Sequence, residues 1–220
     1  MCGAGLEREA KRVLLTLDVT EAAAEKAAAL GCDAVVSHHP LIFRPIGRLT
    51  SPKLLMLAKH EIAVMSFHTR LDNLDGGVND ELAAVLGLIG AVKYGEGGTA
   101  RLGQTSFTRF ADFAAHVKKA LGAPVLHIVQ NAEETGPVLV LGGDGKDFYP
   151  DALRAKGTFV TGAMGYHAMA AAADDGVVNV IEAGHFHTEQ PVLRVLERMI
   201  RQADAAIDVR FFASDPITVI

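Results

Sequence analysis

Apolar positions along this chain follow two rhythms that alternate. A continuous apolar run at Val13 to Leu17 is followed by the alanine-rich AAAEKAAAL within Glu21 to Leu30, then by Gly31 and a second run at Val35-Val36. Short continuous runs read as buried strands, whereas the alanine stretch has high helix propensity, with Thr20-Glu21 as its start and Gly31 as its stop. This predicts a βαβ unit. The pattern continues with a helix from Pro52 to Lys59, a strand from Ile62 to Phe67 and a helix from Gly77 to Leu86. Beyond residue 106 a helix is predicted over 111–121, strands over 125–129 and 138–141, and a helix over 149–156. A strand over 158–161, a helix over 165–173, a strand over 177–181, a helix over 188–202 and a strand over 209–212 complete the series. Alternation of this kind implies an α/β fold with mostly parallel sheets covered by helices.

Between the two series lies YGEGGTARLGQTS, residues 94 to 106, rich in glycine and small polar residues. It reads as a connection, which divides the chain into a first α/β lobe over 1–95 and a second over 96–220. The halves echo one another. Phe67-His68-Thr69 recurs as Phe186-His187-Thr188, each time directly after an apolar run, so a weak internal twofold repeat is expected.

Composition narrows the class. Half of the 220 residues are apolar, enough to bury a sizeable core. No 18-residue apolar stretch and no secretory leader are present, so the expectation is a cytoplasmic protein without membrane contact. The net charge is -5 and the longest basic run is Lys118-Lys119 on a helical pattern, which argues against generic nucleic-acid binding. Cys2 and Cys32 stand alone, so neither a disulfide framework nor a thiolate metal site is indicated, and Cys32 reads as a small core residue.

The chemistry concentrates at strand ends. DAVVSHHPLIF closes an apolar run with His38 and His39, FHTRLDN carries His68 and Asp72, and GHFHTE carries His185, His187 and Glu189. In open parallel sheets the groups that act on ligands gather beyond the carboxyl ends of the strands. Imidazoles and carboxylates aimed at one crevice need partners for their lone pairs and charges, and a divalent cation satisfies several at once. Adjacent histidines on extended backbone point to opposite faces, which two neighbouring ions would resolve, while Pro40 fixes the turn. Three imidazoles and two carboxylates supply at most about seven donor atoms, where two ions want roughly eight to twelve, leaving positions for water. Taken singly, each histidine reads equally as a core or capping residue. The combination points to metal.

SHHPLIF, FHTRLDNLDGGVNDELAAVLGL and AGHFHTEQPVL together resemble the NIF3-like family, also called the GTP cyclohydrolase 1 type 2 homologues, over nearly the whole chain. The resemblance implies two intertwined α/β lobes, a dinuclear metal centre in the cleft between them, and commonly a toroidal homohexamer. Carried onto this sequence, the ligands are His38, His39, Asp72, His185 and Glu189. The two divalent ions would be zinc, iron, manganese, nickel or cobalt. His68 and His187, beside the ligands, are expected to hold them in place or to transfer protons, as the candidate catalytic residues. Two departures stand out. The family's leading helix with its Trp-Asp-Asn-x-Gly-Leu stretch precedes the point where Met1-Cys2-Gly3 begins, and the family's acidic residue after Thr-Gly is Ala163 here.

The remaining motif, LGGDGKDF at 141–148, has the look of a phosphate loop but lacks the third glycine of the dinucleotide fingerprint and the Lys-Ser/Thr of a Walker loop. A plain strand-to-helix turn capped by Asp144 or Asp147 competes with that reading. The Phe110, Phe113, Val117, Leu121 spacing is a core stripe. The expected function is a metal-dependent hydrolase acting on a small nucleotide-like or phosphoester substrate. The alternative is a non-catalytic metal-binding or adaptor protein.

Overall fold

Arg12–Thr16 (β1), Glu21–Ala29 (α1) and Ala34–Ser37 (β2) form the expected βαβ unit in the computed structural model, which describes residues 8–218. Thr20 caps α1, its hydroxyl accepting from the Ala23 amide at 3.1 Å. Pro52–Lys59 (α2) starts on proline, whose missing amide proton costs nothing in a first turn, and leads to Ala63–Ser66 (β3). His68–Asn73 (α3) follows as a short helix. Val78–Val85 (α4) precedes the hairpin Ile89–Tyr94 (β4) and Ala100–Gln104 (β5). Phe110–Leu121 (α5), His127–Val129 (β6), Val138–Asp144 (β7), Tyr149–Ala155 (α6), Thr158–Ala163 (β8), Tyr166–Asp175 (α7) and Asn179–Glu182 (β9) come next. His185–Glu189 (α8), Val192–Ala203 (α9) and Asp208–Phe212 (β10) end the series.

These elements make two sheets, and the described residues group into two compact units. One comprises the chain up to Leu71 together with Val192–Pro216, the other Asp72–Pro191 with residues 217–218. The second unit is thus an insertion in the first, and the 95/96 boundary expected from the glycine-rich stretch falls inside it. The stretch is the β4–β5 turn of the hairpin together with strand β5 itself, not a connection between halves. Its glycines mark a reversal of one strand onto the next, a local signal that composition alone does not separate from a linker.

In the first unit the sheet runs β10-β1-β2-β3, with all three pairings parallel. Its core joins Leu14 and Val35 to Ala24 and Ala27 of α1, Leu57 of α2, Val64 and Cys32. Burial pushes the Cys32 thiol above its ordinary range, in keeping with a core residue; Cys2 lies outside the described residues. The amphipathic α9 buries Val192, Leu193, Val195 and Leu196 and packs on β1.

In the second unit the order is β4-β5-β7-β8-β9-β6. The β7-β8-β9 centre is parallel and the flanking pairings are antiparallel. Both faces are covered. Val138 and Val140 meet Leu82, Phe110 and Phe113 of α4 and α5, while the alternate residues Leu139 and Leu141 meet Ala152 and Ala172 of α6 and α7. The predicted helix over 188–202 is two helices, α8 and α9, parted at Pro191, which cannot donate within a helix.

Candidate metal centre

In the first unit three imidazoles converge. β2 is buried along its whole length, and its end delivers His38 and His39. The His38 amide donates to the Thr16 carbonyl (3.4 Å) and the His39 amide to that of Leu17 (2.9 Å), so the parallel pairing with β1 extends past the last strand residue. β3 lies beside β2 and delivers His68 at the start of α3. The ring centroids of His38, His39 and His68 are 5.0, 5.3 and 5.5 Å apart, and each offers a nitrogen within 4.8 Å of the others. His38 is fully buried and the other two are partly so.

The residues around this trio set its orientation. Asp18, just past β1, accepts from His39 Nδ1 at 2.7 Å. A carboxylate on one ring nitrogen fixes the neutral tautomer and turns the other nitrogen's lone pair outward, as around metal-bound histidines. Ser37 Oγ donates to the His39 carbonyl (2.7 Å) and lies 2.8 Å from Ser66 Oγ, tying the ends of β2 and β3. Neither Asp18 nor the serine pair was legible as part of the site. Asp18 ends VLLTLD just past an apolar run and belongs to none of the histidine motifs.

The second unit builds its polar group differently. Gly184 turns the chain out of β9 into α8, whose single turn places His185 Nε2 3.0 Å from Glu189 Oε2. The helix begins at His185 and not near Thr188, so the two are an i, i+4 pair on one face. His185 is about half exposed and Glu189 is buried. Glycines of β7 and β8 make room for them. A methyl at Gly143, which has φ 74°, would collide with Glu189 Oε1; one at Gly162 would stand 2.6 Å from both the Gly143 carbonyl and Thr188 Oγ1. The Gly143 amide donates to Thr188 Oγ1 (3.1 Å), and Thr161 Oγ1 donates to the Gly143 carbonyl (3.3 Å). Gly142 and Gly143 of this motif are therefore the packed bed of α8. A one-turn helical segment, Lys146–Phe148, precedes α6, and neither Asp144 nor Asp147 caps that helix.

Asp72 is the first residue of the second unit, on α3. Its carbonyl accepts from Asn79 Nδ2 (3.2 Å), and Asn79 Oδ1 accepts from the Gly142 amide (2.8 Å). Asn79 is buried and joins the start of this unit to the glycines under Glu189, a role its place in GGVND did not announce. His187 lies along Gly184, whose added Cβ would meet the ring at 3.1 Å. Among the described residues it belongs to no metal-capable group. Ala163 ends β8 and its carbonyl accepts from the Gly145 amide at 2.9 Å.

The donor sets suit a borderline divalent cation: imidazoles, one of them oriented by a carboxylate, in one unit, a buried carboxylate beside an imidazole in the other, and no thiolate. Buried histidine, aspartate and glutamate groups in this chain are thus able to hold metal ions. The family model described as DUF34/NIF3, NGG1p-interacting factor 3, matches residues 2–218. The chain belongs to that family. A relative named GTP cyclohydrolase 1 type 2 homolog, from Lactococcus lactis, is 32% identical over 212 residues, covering 91% of this chain and 82% of that one. Among solved structures, a hypothetical protein of Staphylococcus aureus superposes with a TM-score of 0.85 at 24% identity, covering 96% of this chain and 88% of that one. A Bacillus cereus protein related to NIF3 gives 0.82 at 22% identity, covering 100% and 92%. These two structural likenesses carry the DUF34/NIF3 fold, an α/β chain with a parallel sheet in one unit and a mixed sheet in the other.

Proposed function

We propose that this DUF34/NIF3 protein is a metal-dependent hydrolase that acts on a nucleotide-like or phosphoester small molecule. The observation that carries the reading is the convergence of His38, His39 and His68, with His39 oriented by Asp18. Three imidazoles grouped at strand ends, one of them oriented by a carboxylate, match the nitrogen donors of a reactive metal site. The proposed ligands are His38, His39, Asp72, His185 and Glu189, holding two divalent ions, with His68 as a further imidazole beside the first pair. The name shared by curated relatives, GTP cyclohydrolase 1 type 2 homolog, supports a nucleotide as the substrate class.

When bound, the ions supply a water of lowered pKa and a Lewis acid for the attacked centre. The chain's own side chains do the rest. Asp18 holds His39 in one tautomer, the buried Glu189 supplies a fixed negative charge, and His187 or His68 relays a proton. In cells the protein works in the cytoplasm as a homohexamer.

The test is elemental analysis of protein purified without chelator, followed by a nucleotide and phosphoester screen with the metals found. The expected result is about two ions per chain and turnover that disappears in Glu189→Gln with the fold retained. Metal bound without turnover of any substrate would favour a storage, sensing or adaptor role. Turnover that survives complete metal removal would overturn the hydrolase reading.

A further inference from the structure

Directly after the histidine pair the chain runs through Leu41-Ile42-Phe43-Arg44-Pro45-Ile46-Gly47-Arg48-Leu49-Thr50, and every residue from Ile42 to Thr50 is exposed. Phe43 is 74% exposed, yet its ring lies edge-on to His68, centroids 6.3 Å apart, so a large aromatic face stands in solvent at the border of the imidazole trio. A methyl at Gly47 would meet nothing within 4 Å, so the space about the loop is open. Leaving a phenylalanine in water forfeits the burial that usually places such a side chain in a core, and Pro45 within the segment and Pro40 before it restrict its backbone.

Charge points to the occupant. From Ala34 to His60 there is no acidic residue, while Arg44, Arg48, Lys53 and Lys59 fall in the same stretch, in a chain whose net charge is -5. Arg44 and Arg48 pair with no carboxylate among the described residues, so their guanidinium groups are available to a ligand. An aromatic face with adjacent arginines, next to a metal-capable cluster, has the chemistry of a planar ring that carries phosphate: the ring stacks and the arginines take the anion in forked hydrogen bonds.

We infer that the 42–48 loop is the substrate-recognition element of the site, with Phe43 stacking the base of a nucleotide and Arg44 and Arg48 binding its phosphates. This rests on the metal-site reading given above and names the specificity-determining residues for it. A second copy of the chain would fit the exposed apolar side chains, but it would not account for two arginines in the same exposed loop as an aromatic ring that lies against His68.

The chain contains no tryptophan, so Phe43→Trp creates a single fluorescent reporter at the proposed stacking position. Metal-loaded Phe43→Trp protein is titrated with GTP, guanosine and inorganic triphosphate, and bound metal is counted in the same samples. Saturable quenching by GTP at concentrations about tenfold below those of guanosine is expected, with little quenching by triphosphate alone. Arg44→Gln and Arg48→Gln, each in the Phe43→Trp background, should each weaken GTP about tenfold and leave guanosine unchanged. By calorimetry, Phe43→Ala should weaken GTP about tenfold without loss of bound metal. A metal-loaded protein showing no quenching by GTP or guanosine overturns the loop assignment and leaves the metal reading standing, whereas a protein that holds no metal overturns the metal reading. Equal quenching by triphosphate and GTP removes the stacking role. If Phe43→Asp lowers the mass measured by sedimentation and leaves GTP affinity unchanged, the loop is a contact between copies and the inference fails.

Discussion

In the first unit the metal-capable groups are three imidazoles delivered by neighbouring strands of an all-parallel sheet and aimed by polar side chains, Asp18 and the Ser37–Ser66 pair. In the second they are an imidazole and a carboxylate on one helical turn, pressed onto glycines at the parallel centre of a mixed sheet. The contrast separates two ways of placing a functional group. Orientation by hydrogen bonds can be removed without disturbing the backbone, whereas placement by close backbone approach depends on the absence of side chains and fails when one is added.

The largest expected effect follows from that difference. Gly162→Ala would put a methyl 2.6 Å from the Gly143 carbonyl and 2.8 Å from His185 Cα. Overpacking where neither neighbour is a flexible tip should cost about 3 kcal/mol or more, read by urea denaturation. Wild-type stability in this variant would show that the β8–α8 approach can relax and would remove the contrast.

Next comes Arg101, whose side chain is 1% exposed and binds Asp80 through Nε (2.5 Å) and Nη2 (2.9 Å) as well as the carbonyls of Gly98, Thr99 and Ala100. Arg101→Met leaves those acceptors and Asp80 without their partner. A loss of about 2–3 kcal/mol in thermal or urea unfolding is expected, because a broken buried pair costs more than the intact pair contributes. A neutral result would mean that the hairpin loop has no share in the unit's stability.

Asp18→Asn sharpens the other side of the comparison. Metal affinity should fall about 10- to 100-fold in a chelator competition, while unfolding in the absence of metal shifts little. Unchanged affinity would show that the trio is aimed by packing alone.

Acid should affect both units. Hydrogen bonds from the Arg12 and Lys11 amides hold Asp33 below the usual carboxylate range, the first being the stronger, and the Arg101 guanidinium does the same for Asp80. Burial pushes Glu182 up, but His127 with the amides of Met164 and Gly165 outweighs it, so this carboxyl is also held low. A depressed carboxyl contributes stability that is complete above its unfolded value, near pH 4, and is lost as pH falls through the folded value. Unfolding free energy should therefore decline below about pH 4, and Asp80→Asn should flatten that decline. A slope unchanged by the substitution would exclude Asp80 as a contributor. The smallest effect is at Thr20→Ala, where loss of the α1 cap should cost about 1 kcal/mol in urea.

Legibility followed the range of the interactions. The βαβ unit, the α5 stripe and the strand-end histidines were readable because each depends on residues close in sequence. The β4–β5 hairpin was not, since Ile89 to Tyr94 is mostly exposed and Gly90 interrupts the apolar run that would have marked a strand. The motifs place His68 only beside the ligands, whereas in the fold its ring centroid comes within about half an ångström of the His38–His39 spacing, at 5.3 and 5.5 Å from those rings against 5.0 Å between them.

By itself, the order of residues determined the α/β class, the family and the residue types at the candidate metal centre, because periodicity and motif spacing are local properties of the chain. Tertiary structure alone decided that the second unit is inserted within the first, that Asp18 orients His39, and that Gly143 and Gly162 must stay bare under Glu189 and His185. Those facts depend on contacts between segments far apart in sequence, and which distant backbones approach closely is set by how whole sheets and helices pack.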